Sequence, residues 1–419
     1  MSSLVVFGRY NLDEEISVQG AKNSVLPILA SSILSRGECI IKNCPNILDV
    51  HTSLEILNYL GCKTKFEKST ICVNSENISK NEIPDHLMRK MRSSIIFMGA
   101  LIARTGRAKL SLPGGCELGP RPIDMHISSM KQLGISIKME HGELECKIAD
   151  KIVGTNISLP FPSVGATENI ILASSICEGT TTINNASCEP EVVDLINFMN
   201  KIGARIHGGG SGKITIEGVK KFSSCEHKII PDRIVATTIL GIASSTKNTV
   251  TLRNINTEHM NAPISVFEEM GCKIEKSQDS IKITSPERLL PVKEVRSTPY
   301  PGFPTDAIPI IMSCLCTADG VSVIVENIFK NRFRHVEELC RFGAKIKTEG
   351  NIAIISGVPY FSGANVKAKD LRGAASLLIA ALSSHGKSII SNIEFLLRGY
   401  DISNLLSKKT AKIIKDQTD

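Results

Sequence analysis

The chain has 419 residues, of which 42% are hydrophobic and 22% charged, with no tryptophan and only 4% aromatic residues. This composition predicts a globular protein of two or more domains with cores built from Ile, Leu, Val and Ala. The scarcity of aromatic residues argues against base-stacking platforms for nucleic acid. The net charge of +7 comes from scattered basic residues. We therefore expect no nucleic-acid partner. The excess of positive charge is compatible with a pocket for a small anion.

Residues 1–10 lack the basic start and apolar core of a signal peptide, and no stretch approaches the roughly 20 apolar residues of a membrane span. These features predict a cytoplasmic protein without a membrane partner. The thirteen cysteines include no CxxC pair and no histidine at zinc spacing. We therefore expect reduced thiols and no metal site.

A repeated pattern organises the chain into six units. Each unit begins with an apolar helix and a strand, continues with an amphipathic helix, and ends in two alternating strands. Five of the amphipathic helices end at a glycine, and these glycines lie 68 to 73 residues apart. They are Gly61, Gly134, Gly203, Gly271 and Gly343. Glycine at this place predicts a left-handed residue that terminates the helix. In the sixth unit the second helix is expected near 402–411, without such a glycine.

The opening helices of the six units are apolar on nearly all sides, which predicts burial rather than an amphipathic surface position. They cover 24–34, 93–103, 167–176, 234–243, 307–315 and 374–382. Six such units predict an α/β fold of two pseudo-symmetric domains, each with three units, helices inside and sheets outside.

Charged residues stand at the starts of these buried helices. Asp232, Thr305 and Asp370 are predicted N-caps. Cations are disfavoured at a helix N-terminus unless an anionic ligand or a carboxylate is near. Cations nevertheless occur at four of the starts, as Lys22, Arg92, Arg233 and Arg372. Helix starts that face one cleft would attract anions.

The run from Leu112 to Pro122 is dense in glycine and proline and places Cys116 five residues before Arg121. It predicts an ordered loop that presents a thiol biased toward thiolate by the arginine. A buried structural cysteine remains the alternative. Arg332 and Arg398 also lie in loop-like sequence, where they are either surface charges or donors to a carboxylate or phosphate.

Ten segments occur in an order similar to that of the UDP-N-acetylglucosamine enolpyruvyl transferases. They are GAKN (20–23), RSS (92–94), LPGGCELGPRPIDMH (112–126), PSVGATEN (162–169), EPEVVDL (189–195), PDR (231–233), PGFPTD (301–306), ENIFKNRFRHV (326–336), DLRGAASL (370–377) and RGY (398–400). The resemblance implies a two-domain inside-out α/β barrel of the enolpyruvyl transferase type, with three repeats per domain. Its domains would be 22–229 and 1–21 plus 230–419. Enolpyruvylshikimate-phosphate synthases share this fold but lack the cysteine loop.

The resemblance implies transfer of the enolpyruvyl group of phosphoenolpyruvate to the 3-hydroxyl of UDP-N-acetylglucosamine, with release of phosphate. This is the first committed step of peptidoglycan synthesis, and it implies no cofactor, metal or obligate protein partner. Cys116 would donate a proton and form a phospholactoyl adduct, and Asp306 would lie close to the sugar 3-hydroxyl. Lys22, Arg121 and Arg398 would be the cations around the phosphate, and Arg332 and Arg372 would hold the carboxylate.

The implied binding residues form two sets. For phosphoenolpyruvate they are Lys22, Asn23, Arg121, Arg332, Arg372 and Arg398. For the nucleotide sugar they are Asn23, Arg92, Arg121, Pro122, Ile123, Asp124, Met125, Ser163, Val164, Asp306 and Ile328.

Three positions depart from the family pattern. Phe161 lies near the place of a lysine in many relatives, Ile96 replaces an aromatic residue of some, and Leu397 replaces an aspartate. Two alternatives stay open: an enolpyruvyl transferase with another hydroxyl acceptor, and a non-catalytic protein that binds a nucleotide sugar.

Overall fold

The computed structural model describes residues 2–8, 12, 14–112, 123–405 and the backbone of 411–415. Three predicted site residues, Cys116, Arg121 and Pro122, lie outside this part of the chain. Among the described residues, no helix is both long and apolar enough to traverse a bilayer.

Most helices are short and separated by strands. They are α1 (Lys22–Ser31), α2 (Leu48–Leu60), α3 (Asp85–Met88), α4 (Phe97–Thr105), α5 (Asp124–Gln132), α6 (Val164–Ser174), α7 (Pro190–Lys201), α8 (Arg233–Ser245), α9 (Asn261–Glu269), α10 (Ile308–Leu315), α11 (Val336–Arg341), α12 (Leu371–Ser383), α13 (Glu394–Leu397) and α14 (Ile402–Leu405). Short 3₁₀ turns cover Ser32–Leu34, Arg92–Ile96, Thr257–Met260 and Thr305–Ala307.

The strands are two to six residues long. They are β1 (Ser2–Phe7), β2 (Glu15–Ser17), β3 (Glu38–Lys42), β4 (Lys63–Glu67), β5 (Thr70–Asn74), β6 (Glu82–Ile83), β7 (Arg107–Ser111), β8 (Ile135–Glu140), β9 (Glu143–Ile148), β10 (Asn156–Ser158), β11 (Thr180–Asn184), β12 (Arg205–His207), β13 (Lys213–Glu217), β14 (Glu226–Lys228), β15 (Thr249–Arg253), β16 (Lys273–Lys276), β17 (Ser280–Thr284), β18 (Val295–Arg296), β19 (Val321–Val325), β20 (Lys345–Glu349), β21 (Ile352–Ser356), β22 (Asn365–Lys367), β23 (Lys387–Ser391) and β24 (Ala411–Lys415).

The described strands form six sheets of four strands each. Their orders are β14-β3-β5-β4, β6-β7-β9-β8, β10-β11-β13-β12, β16-β17-β15-β2, β18-β19-β21-β20 and β22-β23-β1-β24. Every sheet has one parallel pair at an edge and antiparallel pairing elsewhere. This recurrence confirms the predicted sixfold α/β repeat.

By their internal contacts the described residues divide into two compact units. The first unit holds 20–112 and 123–230, and the second unit holds the residues up to 19 and from 231 onward. These breaks lie one or two residues from the expected domain boundaries.

Each unit buries three of the six opening helices in its own hydrophobic core, as the apolar sequences predict. In the first unit these helices are α1, α4 and α6, and in the second unit they are α8, α10 and α12. The packing in the second unit leaves no room for a side chain at Gly241 of α8, because a Cβ there would lie 2.9 Å from Ile310 and 3.1 Å from Ile379. Close helix contact therefore requires glycine at this position.

The five helix-ending glycines all have positive φ, between 81° and 107°, which confirms their predicted role. The helix expected near 402–411 is confirmed at Ile402–Leu405 as α14, and it is wrong at Ala411. Ala411 begins β24, which pairs antiparallel with β1 at the start of the chain. Because β1 also pairs with β23, the first strand of the chain completes the sixth sheet.

Candidate active site

A carboxylate between two guanidinium groups lies at the helix starts of the second unit. Asp306 belongs to the 3₁₀ turn before α10, where its Oδ1 accepts a hydrogen bond from Arg332 Nη2. Its Oδ2 accepts from Arg372 Nε at 3.1 Å and lies 3.0 Å from Arg372 Nη2. We call these three residues the Asp306 cluster.

Both arginines of the cluster are buried, with 1% of Arg332 and 4% of Arg372 exposed, whereas 27% of the Asp306 side chain is exposed. Burial by itself would lower the pKa of the Arg372 guanidinium. The surrounding Tyr400, Asp306 and Asp232 instead raise this pKa above its ordinary value. Arg372 therefore stays charged inside the protein, as a buried cation does when anionic and polar partners compensate its desolvation.

A second layer of polar contacts holds Arg332 and the turn at Asp306. Arg332 Nε donates to the Thr305 carbonyl at 3.0 Å, and the Thr305 hydroxyl donates to Glu326 Oε2 at 2.9 Å. The other Glu326 oxygen accepts from the backbone amides of Ile328 at 2.7 Å and Phe329 at 2.9 Å. Thr305 was expected to cap a helix, which is wrong: Pro304 precedes the turn, and the hydroxyl bonds Glu326 instead.

Two hydroxyl groups, those of Tyr400 and Thr238, form a chain of hydrogen bonds that begins at Arg372. Arg372 Nη1 donates to the Tyr400 hydroxyl at 3.1 Å, which lies 2.9 Å from Thr238 Oγ1. Because the Thr238 hydroxyl donates to the Ile234 carbonyl at 2.8 Å, its oxygen is left to accept from Tyr400. All the donors along this chain therefore point from Arg372 toward α8.

The two predicted aspartate N-caps of the second unit are confirmed. Asp370 Oδ1 accepts from the backbone amides of Arg372 at 3.0 Å and Gly373 at 2.9 Å. Asp232 Oδ1 caps α8 in the same way. Arg398 lies half-buried at the end of α13, two residues before Tyr400.

In the first unit, Lys22 is the first residue of α1, and its Nζ lies 2.8 Å from Asp49 Oδ2. Asp49 is buried in the first turn of α2. This carboxylate explains how a cation is tolerated at the start of a buried helix. Sequence reasoning missed Asp49, because nothing local connects it to Lys22. The neighbouring Asn23 is exposed.

The start of α6 contacts a buried histidine. Ser163 caps this helix by accepting from the Ala166 amide at 3.4 Å, and Val164 is its first residue. The backbone at Gly165 comes so close to His126 that a Cβ there would lie 3.2 Å from the ring. A side chain at Gly165 would therefore require the His126 ring to shift by a few tenths of an ångström.

His126 is held by an amide of α6. Its Nδ1 lies 2.9 Å from Asn169 Nδ2, while Asn169 Oδ1 accepts from the Gly99 amide at 2.7 Å. Burial, helped by the nearby Arg92, lowers the pKa of His126 to about 4. The imidazole is therefore neutral at pH 7, with Nδ1 accepting from Asn169 and the proton on Nε2.

The remaining predicted site residues of the first unit lie around these helix starts. Arg92 begins the 3₁₀ turn before α4, Ile123 precedes α5, and Asp124 and Met125 are its first two residues. Asp124 is exposed, whereas the other three are half-buried. Ile96, one of the departures from the family pattern, is buried at the end of its turn.

The structure thus brings Asp306, Arg332 and Arg372 together with Ile328 nearby, and it separately pairs Lys22 with Asp49. Sequence reasoning assigned no role to Glu326, Thr238 or Tyr400, although Glu326 and Tyr400 lie inside motifs that it quoted. Within the described residues, no group of histidine, cysteine and acidic side chains is arranged to hold a metal ion.

Each unit contains three four-stranded sheets and three buried opening helices, as expected for the fold of the enolpyruvyl transferases. A family model for EPSP synthase (3-phosphoshikimate 1-carboxyvinyltransferase) matches residues 6–402. The fold resembles the enolpyruvyl transferase NikO from Streptomyces tendae, with a TM-score of 0.87 at 22% identity over 99% of this chain and 98% of that one. It also resembles EPSP synthase from Acinetobacter baumannii, with a TM-score of 0.74 at 17% identity over 99% and 100% of the two chains.

Relatives with high sequence identity indicate to which group of enolpyruvyl transferases the chain belongs. UDP-N-acetylglucosamine 1-carboxyvinyltransferase 2 of Caldanaerobacter subterraneus subsp. tengcongensis is 47% identical over 99% of this chain and 100% of its own length. UDP-N-acetylglucosamine 1-carboxyvinyltransferase of Thermotoga petrophila is 45% identical over 99% and 98%. The chain belongs to the EPSP synthase family and, within it, to the group of these 1-carboxyvinyltransferases.

Proposed function

We propose that this protein transfers the enolpyruvyl group of phosphoenolpyruvate to the 3-hydroxyl of UDP-N-acetylglucosamine and releases phosphate. Relatives that carry the name of this activity are 42% to 47% identical over nearly the whole chain. The observation that carries the proposal within the molecule is the Asp306 cluster. It combines a partly exposed carboxylate, as a proton acceptor for a hydroxyl, with buried cations suited to an anionic substrate.

The reaction needs three kinds of group. A proton must be added to C3 of phosphoenolpyruvate, so that C2 becomes electrophilic, and we assign this step to Cys116. The sugar hydroxyl then attacks C2 and gives up its proton, for which we assign Asp306. The tetrahedral adduct loses a proton from C3 and expels phosphate, and cations stabilise the leaving group.

The donor count of the two buried arginines supports their assignment to the substrate carboxylate. A guanidinium has five N–H donors. Arg372 directs three of its nitrogens to Asp306 and Tyr400, and Arg332 directs two to Asp306 and Thr305. Each arginine therefore keeps N–H groups for a carboxylate, which is the planar acceptor that a guanidinium fits.

The phosphate is assigned to Lys22, Arg121 and Arg398, and Asn23 is the remaining contact to phosphoenolpyruvate. The nucleotide sugar is assigned to Arg92, Arg121–Met125, Ser163, Val164 and Ile328 together with Asn23 and Asp306. We propose that the two compact units are the two domains of the transferase, and that it acts in the cytoplasm in peptidoglycan synthesis.

The test is phosphate release from phosphoenolpyruvate by the full chain, with and without UDP-N-acetylglucosamine, with the product identified by mass. We expect release that depends on the nucleotide sugar and an enolpyruvyl ether as product. Release only with another hydroxyl acceptor would favour a sister transferase. Binding of the nucleotide sugar without release would favour the non-catalytic alternative, and either result would overturn the proposal.

A further inference from the structure

Two cysteines lie side by side on neighbouring strands of the first unit. The strands β3 and β14 are parallel, with Glu226 opposite Ile40. One residue earlier, the same register sets Cys225 opposite Cys39, and the Ile40 amide donates to the Cys225 carbonyl at 3.0 Å. The backbone thus fixes the two residues as direct cross-strand neighbours.

Both side chains point to the same face of the sheet. In β3, Cys39 is buried, and in β14 His227 is buried while Glu226 is exposed. Because side chains alternate along a strand, Cys225 shares the inward face with His227 and hence with Cys39. Adjacent strands lie about 4.8 Å apart, within the Cα separation of about 4.4–6.8 Å that a disulfide spans. The spacing of the two strands is therefore compatible with a disulfide between these cysteines.

The neighbouring cysteine changes the acidity of Cys39. Interaction with Cys225, and to a lesser extent with Ser35, outweighs burial and lowers the pKa of Cys39 to about 6. Elsewhere in the same core, burial raises the pKa of Cys44 and Cys62 to about 12. Since the thiolate is the reactive form, the Cys39–Cys225 pair differs in reactivity from these buried cysteines.

Of the two cysteines, only Cys225 is accessible to solvent. Cys39 is fully buried, whereas Cys225 is half-buried and precedes the short strand β14. The interaction with Cys39 and burial together raise the pKa of Cys225 well above its ordinary value, and the nearby Lys201 charge offsets only part of this. A reagent in solution therefore meets Cys225 first, and Cys39 can react only with what has formed on Cys225.

We propose that Cys39 and Cys225 form a redox-active dithiol that reacts with low-molecular-weight disulfides. The Cys225 sulfur attacks one sulfur of the small disulfide while its proton passes to the neighbouring Cys39 thiolate, which forms a mixed disulfide and expels one small thiolate. The expelled thiolate takes this proton from Cys39, so that Cys39 is again a thiolate. The Cys39 thiolate then attacks the Cys225 sulfur and expels the second small thiolate. The protein loses two electrons and two protons, and the small disulfide becomes two thiols. The resulting bond joins β3 to β14, the last strand of the first unit.

The test treats the full chain with glutathione disulfide, blocks remaining thiols with N-ethylmaleimide, and maps the peptides without reduction. We expect the Cys39 and Cys225 peptides to be joined in most molecules, two alkylatable thiols to be lost, and dithiothreitol to restore both. This measurement on the unsubstituted protein does not depend on the folding of a variant. Recovery of both cysteines as alkylated peptides, or of Cys225 only as a stable glutathione adduct, would overturn the proposal.

Variants separate the two steps. Cys39→Ser should trap the glutathione adduct on Cys225, because the resolving thiol is missing. Cys225→Ser should leave Cys39 alkylated only after denaturation. Cys72→Ser is the matched control, since Cys72 lies half-buried on β5 of the same sheet, opposite Ile40, and this variant should still form the bond. A Cys39–Cys225 bond lost in Cys72→Ser would contradict the assignment.

Discussion

The Tyr400 hydroxyl offers a sharp test of how the Asp306 cluster is supported. Tyr400→Phe removes the acceptor of the Arg372 Nη1 hydrogen bond, which is 3.1 Å long and fully buried. Because phenylalanine fills nearly the same volume as tyrosine, the substitution measures the effect of removing the hydroxyl group alone. One N–H of a buried cation loses its partner, as does Thr238 Oγ1.

A hydrogen bond to a charged group contributes about 1.5–3 kcal/mol, and an unsatisfied buried donor costs a similar amount. We therefore expect Tyr400→Phe to lower the free energy of unfolding by about 2 kcal/mol. Without the Tyr400 hydroxyl, the Arg372 side chain is no longer held in the orientation in which it would bind the substrate carboxylate. A loss of about 1.4 kcal/mol in the binding of phosphoenolpyruvate would raise the KM for that substrate about tenfold. The kcat should change less, because the proposed role of Tyr400 is to position Arg372.

The assays are urea unfolding and phosphate release at varied phosphoenolpyruvate. The matched control is Tyr360→Phe, because Tyr360 is 57% exposed and stacks on His385 at the surface. Its loss should leave both quantities unchanged. Equal stability and equal KM in Tyr400→Phe and Tyr360→Phe would refute the role of the hydroxyl chain.

Three further changes test other parts of the molecule. Cys116→Ser should abolish phosphate release while the urea midpoint stays the same, and full activity would remove this thiol from the mechanism. Asp49→Asn takes the carboxylate from a largely buried ion pair with Lys22, so unfolding should become easier by about 3 kcal/mol; an unchanged urea midpoint would contradict this. Burial and the neighbouring acidic residues raise the pKa of Glu168 well above its ordinary 4.5. The folded state thus holds this proton more tightly, and stability falls as pH rises above 4.5. Glu168→Gln should therefore gain stability relative to the parent chain by up to about 1.4 kcal/mol per pH unit; parallel pH profiles would exclude this.

Local sequence determined much of this fold. The all-apolar helices predicted burial because no face of such a helix prefers water. Helix-ending glycines such as Gly61 predicted left-handed residues, since only glycine adopts that conformation without steric cost. Asp232 and Asp370 predicted N-caps, because the cap and the amides it satisfies are two or three residues apart. Periodicity and capping are properties of neighbouring residues, and a sequence displays them directly.

The Asp306 cluster could be recognised only from the tertiary structure. Its partners Arg332 and Arg372 lie 26 and 66 residues further along the chain, and no local rule pairs one buried arginine with one aspartate rather than another. The pairing of Lys22 with Asp49 escaped prediction for the same reason.

The sixth sheet shows the limit of local reasoning. A helix was expected over 402–411, but the end of this segment instead forms the edge strand beside β1, whose own register joins Val5 to Ile389. Whether a short segment becomes helix or strand is decided by the hydrogen-bonding edge available to it. That edge belongs to a strand more than four hundred residues away in sequence, and only the folded chain brings it close.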